Sequence, residues 1–286
     1  MTAPPPFPMF LSPMFLNGPA GRLFAVYYSP ETPAKNDGDA VLYIPPFAEE
    51  MNRSRRMAAL LGRRLADQGI GCLILDLFGT GDSAGDFSEA RWEIWRRDVA
   101  AAVDWLGATG FNSVTLIGLR LGASLALDTA PDVSLPVSRV MLWQPVPSGQ
   151  TFLNQFLRIR AAAALDDASS GGRETAKDLR RRLSEGEILE VAGYGLHPEM
   201  ARAIEELRLA DLGLRCPAPI HWFNVSATDE NGLPPAATPV LENWSEAGTQ
   251  ASATSVRGES FWAIEETTLA PGLLDATVKM ISGEAR

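Results

Sequence analysis

The chain has 286 residues, 46% hydrophobic and 21% charged, with a formal charge of −10. This composition belongs to a globular chain with a large core, and the acidic balance gives no electrostatic reason to bind nucleic acid or an anionic membrane. The two cysteines, Cys72 and Cys216, supply neither a disulfide framework nor a four-ligand zinc site, so no metal or other cofactor is expected.

The proline-rich start, residues 1–15, lacks a basic n-region and is not expected to be a signal peptide. No apolar run reaches the roughly 18 residues of a transmembrane segment. The expected compartment is the cytoplasm.

Residues 13–16 and 22–28 predict a β-hairpin around the turn Asn17-Gly18-Pro19-Ala20-Gly21. Residues 30–39 are a polar loop, and 40–44 form a continuously apolar run stopped by Pro45-Pro46. Such a run suits a strand buried on both faces of a parallel sheet. Helical spacing over 52–68 places Met57, Leu60, Leu61 and Leu65 on one face, with Gly69 as the stop. A strand over 71–75 ends at Asp76. The pattern repeats as a helix over 92–106, a strand over 113–117, a helix over 123–129 and a strand over 137–143. This alternation predicts an α/β fold, a mostly parallel sheet with right-handed crossovers and helices on both faces.

Residues 150–212 break the rhythm with helical pieces over 152–165, 173–183 and 198–207 and no convincing strand. They read as a helical cap inserted over the C-terminal edge of the sheet, between core segments 1–149 and 213–286. The core resumes with a strand over 219–225, a helix over 236–248, a strand over 252–256 and a helix over 272–281.

Leu116-Ile117-Gly118-Leu119-Arg120-Leu121-Gly122-Ala123 runs from a predicted strand into a predicted helix. It matches the Gly-x-Ser-x-Gly nucleophile elbow, with Arg120 in the serine position. The glycines flank a turn too tight for side chains two residues either side of its apex. Asp76-Leu77-Phe78-Gly79-Thr80-Gly81-Asp82-Ser83-Ala84-Gly85 also follows a strand. It resembles a loop of many α/β-hydrolases in which the serine is structural. Ser83 is read that way, with a nucleophilic role as the alternative. Where active relatives carry a His-Gly loop that donates an oxyanion-hole amide, this chain has Pro45-Pro46 or Pro46-Phe47. Proline has no N–H, so donors are expected from Phe47 or Ala48. Leu121, next after the apex, joins Phe47 among the expected binding residues.

Four motifs together, Pro45-Pro46-Phe47-x-Glu49-Glu50-x-Asn52-x-x-Arg55-Arg56, Asp76-x-x-Gly79-x-Gly81-x-Ser83-x-Gly85-Asp86-Phe87, Trp92-x-x-Trp95-x-x-Asp98 and Gly118-Leu119-Arg120-Leu121-Gly122, resemble the exosortase A system-associated hydrolases, the second of the two types so named. The resemblance covers most of the chain and is strongest over 43–127. It implies an α/β-hydrolase fold. It also implies a bacterial setting tied to exopolysaccharide production and the sorting of proteins with a PEP-CTERM tail, with that machinery as partner. The family name asserts hydrolysis through the fold, and a fold does not fix a function.

A serine hydrolase needs a base beside its nucleophile and an acid to orient the base. Only His197 and His221 are available. His197 is expected at a helix start on the surface, and His221 packed in a strand. After the last strand, where the superfamily carries its histidine, the sequence is Val256-Arg257-Gly258-Glu259-Ser260-Phe261-Trp262, and Phe261 or Trp262 fills the slot. Asp229 is the nearest match to the acid. Loss of nucleophile or base typically costs ~10⁶-fold in turnover, and a guanidinium, always protonated, cannot stand in for a hydroxyl.

A cation at a helix N-terminus needs a negative partner. Glu49 or Glu50 is the expected one. The alternative is a small anionic ligand held by Arg120 and the helix amides. Trp92 and Trp95 read as core residues, and Arg180-Arg181-Arg182 as a solvated helix face. Three readings of function follow: a degenerate hydrolase with a binding or accessory role; an active ester or acyl hydrolase with an unorthodox site on Ser83, Asp229 or Glu50; and a carrier or sensor of a carboxylate or phosphate at Arg120.

Overall fold

Strand β1 (Leu11–Asn17) pairs antiparallel with β2 (Arg22–Tyr28), Leu11 opposite Tyr28 and Asn17 opposite Arg22. This is the hairpin expected from the strand formers on either side of Asn17-Gly18. The computed structural model describes residues 11–30, 38–166, 174–227 and 232–283. The apolar run after the loop is β3 (Asp39–Ile44), and the helix that follows is α1 (Glu49–Asp67). Helix α1 begins three residues earlier than its hydrophobic spacing predicts. Ala48 turns the chain sharply at φ 50°, ψ −127°, so the helix starts at once, with Glu49 and Glu50 in its first turn where the helix dipole favours acids.

Strand β4 (Cys72–Leu75), helix α2 (Trp92–Ala108), strand β5 (Ser113–Leu119), helix α3 (Leu121–Thr129) and strand β6 (Val137–Trp143) continue the alternation. Between β4 and α2, the loop with Gly79 and Gly81 is fixed from α2. Asp98 Oδ2 accepts from the Phe78 amide at 2.8 Å, and Trp95 Nε1 donates to the Phe78 carbonyl at 2.9 Å. Trp92 Nε1 donates to Asp128 on α3 at 2.8 Å. Both tryptophans are buried clamps, as their spacing on α2 suggests.

After β6 come α4 (Gly149–Asp166), α5 (Ala176–Ser184), β7 (Leu189–Val191), β8 (Tyr194–Leu196), α6 (Pro198–Glu206) and α7 (Leu209–Leu214). The expectation of no strand between 150 and 212 is corrected here: β7 and β8 pair antiparallel. They are joined by Ala192 and Gly193, both at positive φ (50° and 84°), as a two-residue hairpin turn requires. Thr175 caps α5, in a reciprocal pair with Asp178, which moves the helix start past residue 173. The chain finishes with β9 (Ile220–Ser226), α8 (Thr238–Glu246), β10 (Ala251–Arg257) and α9 (Pro271–Ser282).

The strands form one eight-stranded sheet in the order β1-β2-β4-β3-β5-β6-β9-β10. The β1–β2 and β2–β4 pairings are antiparallel and the rest parallel. One core cluster packs Met57, Leu61 and Leu65 of α1 with Leu273 and Ile281 of α9; the other packs α2, α3 and α4 against the opposite face. Among the described residues no helix is long and apolar enough to cross a membrane. From β3 the chain steps outward to β4, then back across to β5 on the other side of β3. That reversal opens a crevice at the C-terminal ends of β3 and β5, where open α/β sheets place their ligands. Pro45-Pro46-Phe47 and Arg120 stand at its two lips.

Candidate functional site

Arg120 is the apex between β5 and α3, at φ 56°, ψ −118°, a region that costs a side-chain-bearing residue about 1–3 kcal/mol. The flanking glycines make the bend feasible. A Cβ on Gly118 would lie 2.2 Å from the Gly122 carbonyl oxygen, and one on Gly122 would lie 2.4 Å from the Pro45 carbonyl oxygen. Arg120 N–H donates to the Trp143 carbonyl at 2.9 Å, and Ala123 N–H to the Arg120 carbonyl at 3.1 Å. Ala48, between β3 and α1, has nearly the same dihedrals. Two bends of one shape therefore end the two strands of the switch point.

The Arg120 side chain folds onto α1. Its Nε lies 3.2 Å from Glu50 Oε1, with both side chains about one-fifth exposed, at 18% and 21%. Burial pushes the Glu50 carboxyl up, and Arg120 and Arg53 pull it back. Glu50 Oε2 is buried with no hydrogen-bond partner. Glu49 turns elsewhere: it sits 3.6 Å from Arg53 Nε and accepts from the Tyr194 hydroxyl at 3.3 Å. The second face of the Arg120 guanidinium meets Trp262, whose ring centre is 5.6 Å from Cζ. Neither terminal Nη group of Arg120 has a hydrogen-bond acceptor among the described residues.

These groups line a cavity of about 290 Å³. Glu49, Glu50, Arg53 and Arg120 make its polar side; Phe47, Phe152, Phe156, Ile159 and Trp262 make its apolar walls. Phe47 is the hub, touching Phe87, Trp95, Phe152 and Phe156 edge-on at centroid distances of 5.2, 5.7, 5.7 and 5.1 Å. Ala192, at the hairpin turn, reaches the rim. Phe152, Phe156 and Ile159 were not among the expected site residues. Their i, i+4 and i+7 spacing on α4 marks one helix face, a signal that was present but shared with any core helix.

Other expected site residues lie apart. Leu121 is 1% exposed and its side chain belongs to the core, not the cavity lining; only its amide, without a hydrogen-bond partner among the described residues, is available. The Phe47 amide is in the same state. Ser83 Oγ donates to the Asp76 carbonyl at 2.6 Å and accepts from the Phe24 amide at 2.8 Å. The first bond closes the loop on its own start after β4, the second ties it to β2, and Ser83 does not line the cavity. His197 caps α6, its Nδ1 accepting from the Glu199 amide at 3.1 Å. His221 does touch a serine: Nδ1 is 2.5 Å from Ser252 Oγ, and Nε2 is 3.1 Å from Thr254 Oγ1. That contact bridges the N-terminal halves of β9 and β10, whereas the elbow sits at the strands' C-terminal ends. Burial pushes His221 down to about 4, which keeps it neutral, and it does not line the elbow cavity. Asp229 lies outside the described residues. Of the Arg180 to Arg182 run, Arg180 pairs with Glu205, and Arg182 with Glu174 and Glu187.

Sheet order, crossovers and elbow define the α/β-hydrolase fold, and solved structures share it along nearly their whole length. The structure of Est1E from Butyrivibrio proteoclasticus with bound ferulic acid has a TM-score of 0.62 at 14% identity, over 94% of this chain and 96% of that one. Proline iminopeptidase of Mycobacterium smegmatis has a TM-score of 0.59 at 13% identity, over 96% and 98%. The thioesterase domain from the curacin biosynthetic pathway has a TM-score of 0.57 at 16% identity, over 95% and 99%. No protein-family model matches the sequence, and no curated protein shows significant similarity to it. The likeness is therefore one of fold.

Proposed function

We propose that this chain is a degenerate α/β-hydrolase that binds a small acyl or anionic ligand at its elbow and does not cleave it. The observation that carries the reading is the Arg120–Glu50 ion pair at the apex, flanked by Trp262. A nucleophile and base have given way to a cation, an anion and an indole. The guanidinium and the indole offer neither nucleophile nor base, and Glu50, the one basic group of the three, has Oε1 engaged by Arg120. The frame around them is kept: the bend, both glycines and unengaged amides at Phe47 and Leu121. The helical segment 150–212 acts in this reading as a cap, its α4 aromatics closing the cavity. The test is a panel of p-nitrophenyl esters and acyl thioesters. The expected result is release no faster than in buffer. Hydrolysis that a point substitution in the cavity abolishes would sink the proposal.

The resemblance of four sequence motifs to the second type of exosortase A system-associated hydrolases supports an accessory role in exopolysaccharide production and PEP-CTERM sorting, exercised in the cytoplasm of a bacterium. Deleting the gene is then expected to lower exopolysaccharide output or mis-sort PEP-CTERM proteins. Wild-type levels of both in the deletion strain would count against that placement.

A further inference from the structure

The elbow cavity has a polar end and an apolar body, and the chemistry of both narrows the ligand. Its four charged residues fall into two pairs, Arg120 with Glu50 and Arg53 with Glu49. The lining is thus close to neutral, and a multiply charged anion would face two carboxylates with no spare cation. Yet Glu50 occupies only the Nε side of Arg120. The Nη edge, a planar fork of permanently charged donors, has no acceptor among the described residues. It matches the two oxygens of a planar monoanion. The Phe47 and Leu121 amides on either lip of the crevice are likewise unengaged. Beyond the fork, Phe152, Phe156, Ile159 and Trp262 offer aromatic and branched surface and no polar side-chain partner other than Gln155. At about 290 Å³ the space lies at the small end of ligand pockets, which span roughly 300–1,000 Å³.

Resting on the binding role proposed above, we infer that the ligand is a small monocarboxylic acid with an aromatic or branched body, its carboxylate on the Nη edge of Arg120 and its body against Phe152 and Phe156. Glu50 then acts as a built-in competitor for the same guanidinium. Its carboxylate must share Arg120 with the incoming one, so removing its charge tightens binding.

Calorimetric titration of the full chain with phenylacetate, phenylacetamide, methyl phenylacetate and inorganic phosphate tests this. Phenylacetate is expected to bind at least tenfold tighter than its amide, its ester or phosphate. Phe156→Ala is expected to weaken phenylacetate at least fivefold, and Glu50→Gln to tighten it at least threefold. Arg120→Met is expected to abolish the preference for acid over amide; if that variant does not fold, the Glu50→Gln and Phe156→Ala arms still decide. Equal affinity for acid and amide, tighter binding of phosphate, or weaker binding to Glu50→Gln would each overturn the inference. Failure of all four probes to bind, with methyl phenylacetate left intact, overturns it and leaves the non-catalytic reading standing. Conversion of methyl phenylacetate to the acid would instead overturn that reading.

Discussion

Trp262 holds its ring centre 5.6 Å from the guanidinium carbon of Arg120, so the loop that follows the last strand touches the apex of the elbow. In a working triad that contact joins base to nucleophile and moves a proton. Here it joins a π face to a fixed cation. A cation–π contact of this kind is worth about 0.5–2 kcal/mol, and it stabilises the fold. Glu50 completes the arrangement from α1.

Restoring the serine alone should therefore restore nothing. Arg120→Ser places a hydroxyl at a bend of the right shape but leaves no imidazole beside it. The expected rate on p-nitrophenyl acetate is that of buffer. A clear increase over wild type would mean that another group on the chain serves as base.

The ion pair is coupled to stability. Arg120→Met leaves Glu50 buried and unpaired. Breaking a fully buried pair costs about 3–5 kcal/mol; with both side chains about one-fifth exposed, about 1–3 kcal/mol is expected. Glu50→Gln keeps an acceptor for Nε and should cost less. Urea unfolding of both single variants and the double should give a coupling energy of about 1–2 kcal/mol. Additive losses would mean that the pair is incidental.

Gly122→Ala should be among the most damaging small substitutions in the chain. Its new methyl would press on the Pro45 carbonyl at 2.4 Å, a backbone atom at the switch point that cannot swing aside as a flexible side chain would. A loss of about 3 kcal/mol or more is expected. Unfolding at the wild-type denaturant midpoint would show that the two lips of the crevice are not in contact.

Ser83→Ala separates structure from chemistry at the other conspicuous serine. The Phe24 amide would lose its acceptor and the Asp76 carbonyl its donor. That costs about 1–3 kcal/mol. Phenylacetate affinity should not move. A change in affinity with unchanged stability would place Ser83 in the site.

Asp98 should set a pH slope. Burial pushes its carboxyl from an ordinary 3.8 up to about 7, with the Phe78 amide pulling the other way. The folded state thus keeps a proton that the unfolded chain releases, and stability falls as pH rises from about 4 through about 7. Asp98→Asn keeps an acceptor for the Phe78 amide and removes the charge. Between about pH 5 and pH 8, wild type should lose about 2–4 kcal/mol relative to this variant. Parallel stability profiles for the two proteins would rule this out.

Much of this was legible in the sequence because it depends on local pattern. The continuous apolar run at β3 announces a doubly buried strand, and Gly118 and Gly122 announce the elbow because only a hydrogen fits there. What was not legible depends on tertiary demand. Glu49 and Glu50 are chemically alike. Only the positive φ of Ala48, imposed by the turn off β3, starts α1 early enough to aim Glu50 at Arg120 and leave Glu49 to Arg53 and Tyr194. Phe261 and Trp262 are adjacent aromatics, and burial decides between them: Phe261 is fully enclosed, while Trp262 lies over the guanidinium. The β7–β8 hairpin turns on Ala192-Gly193 and not Asn-Gly, so its signal is weak. Phe152 and Phe156 share a face of α4, but which face covers the crevice is set by how α4 packs.

The central claim is that no side chain of this protein attacks a carbonyl-like centre at the elbow. Incubation of the folded protein with a fluorophosphonate, followed by intact-protein mass spectrometry, tests it most directly. The mass is expected to remain that of the unmodified chain. A stoichiometric adduct, mapped to any serine and lost when that serine is replaced by alanine, would contradict the account.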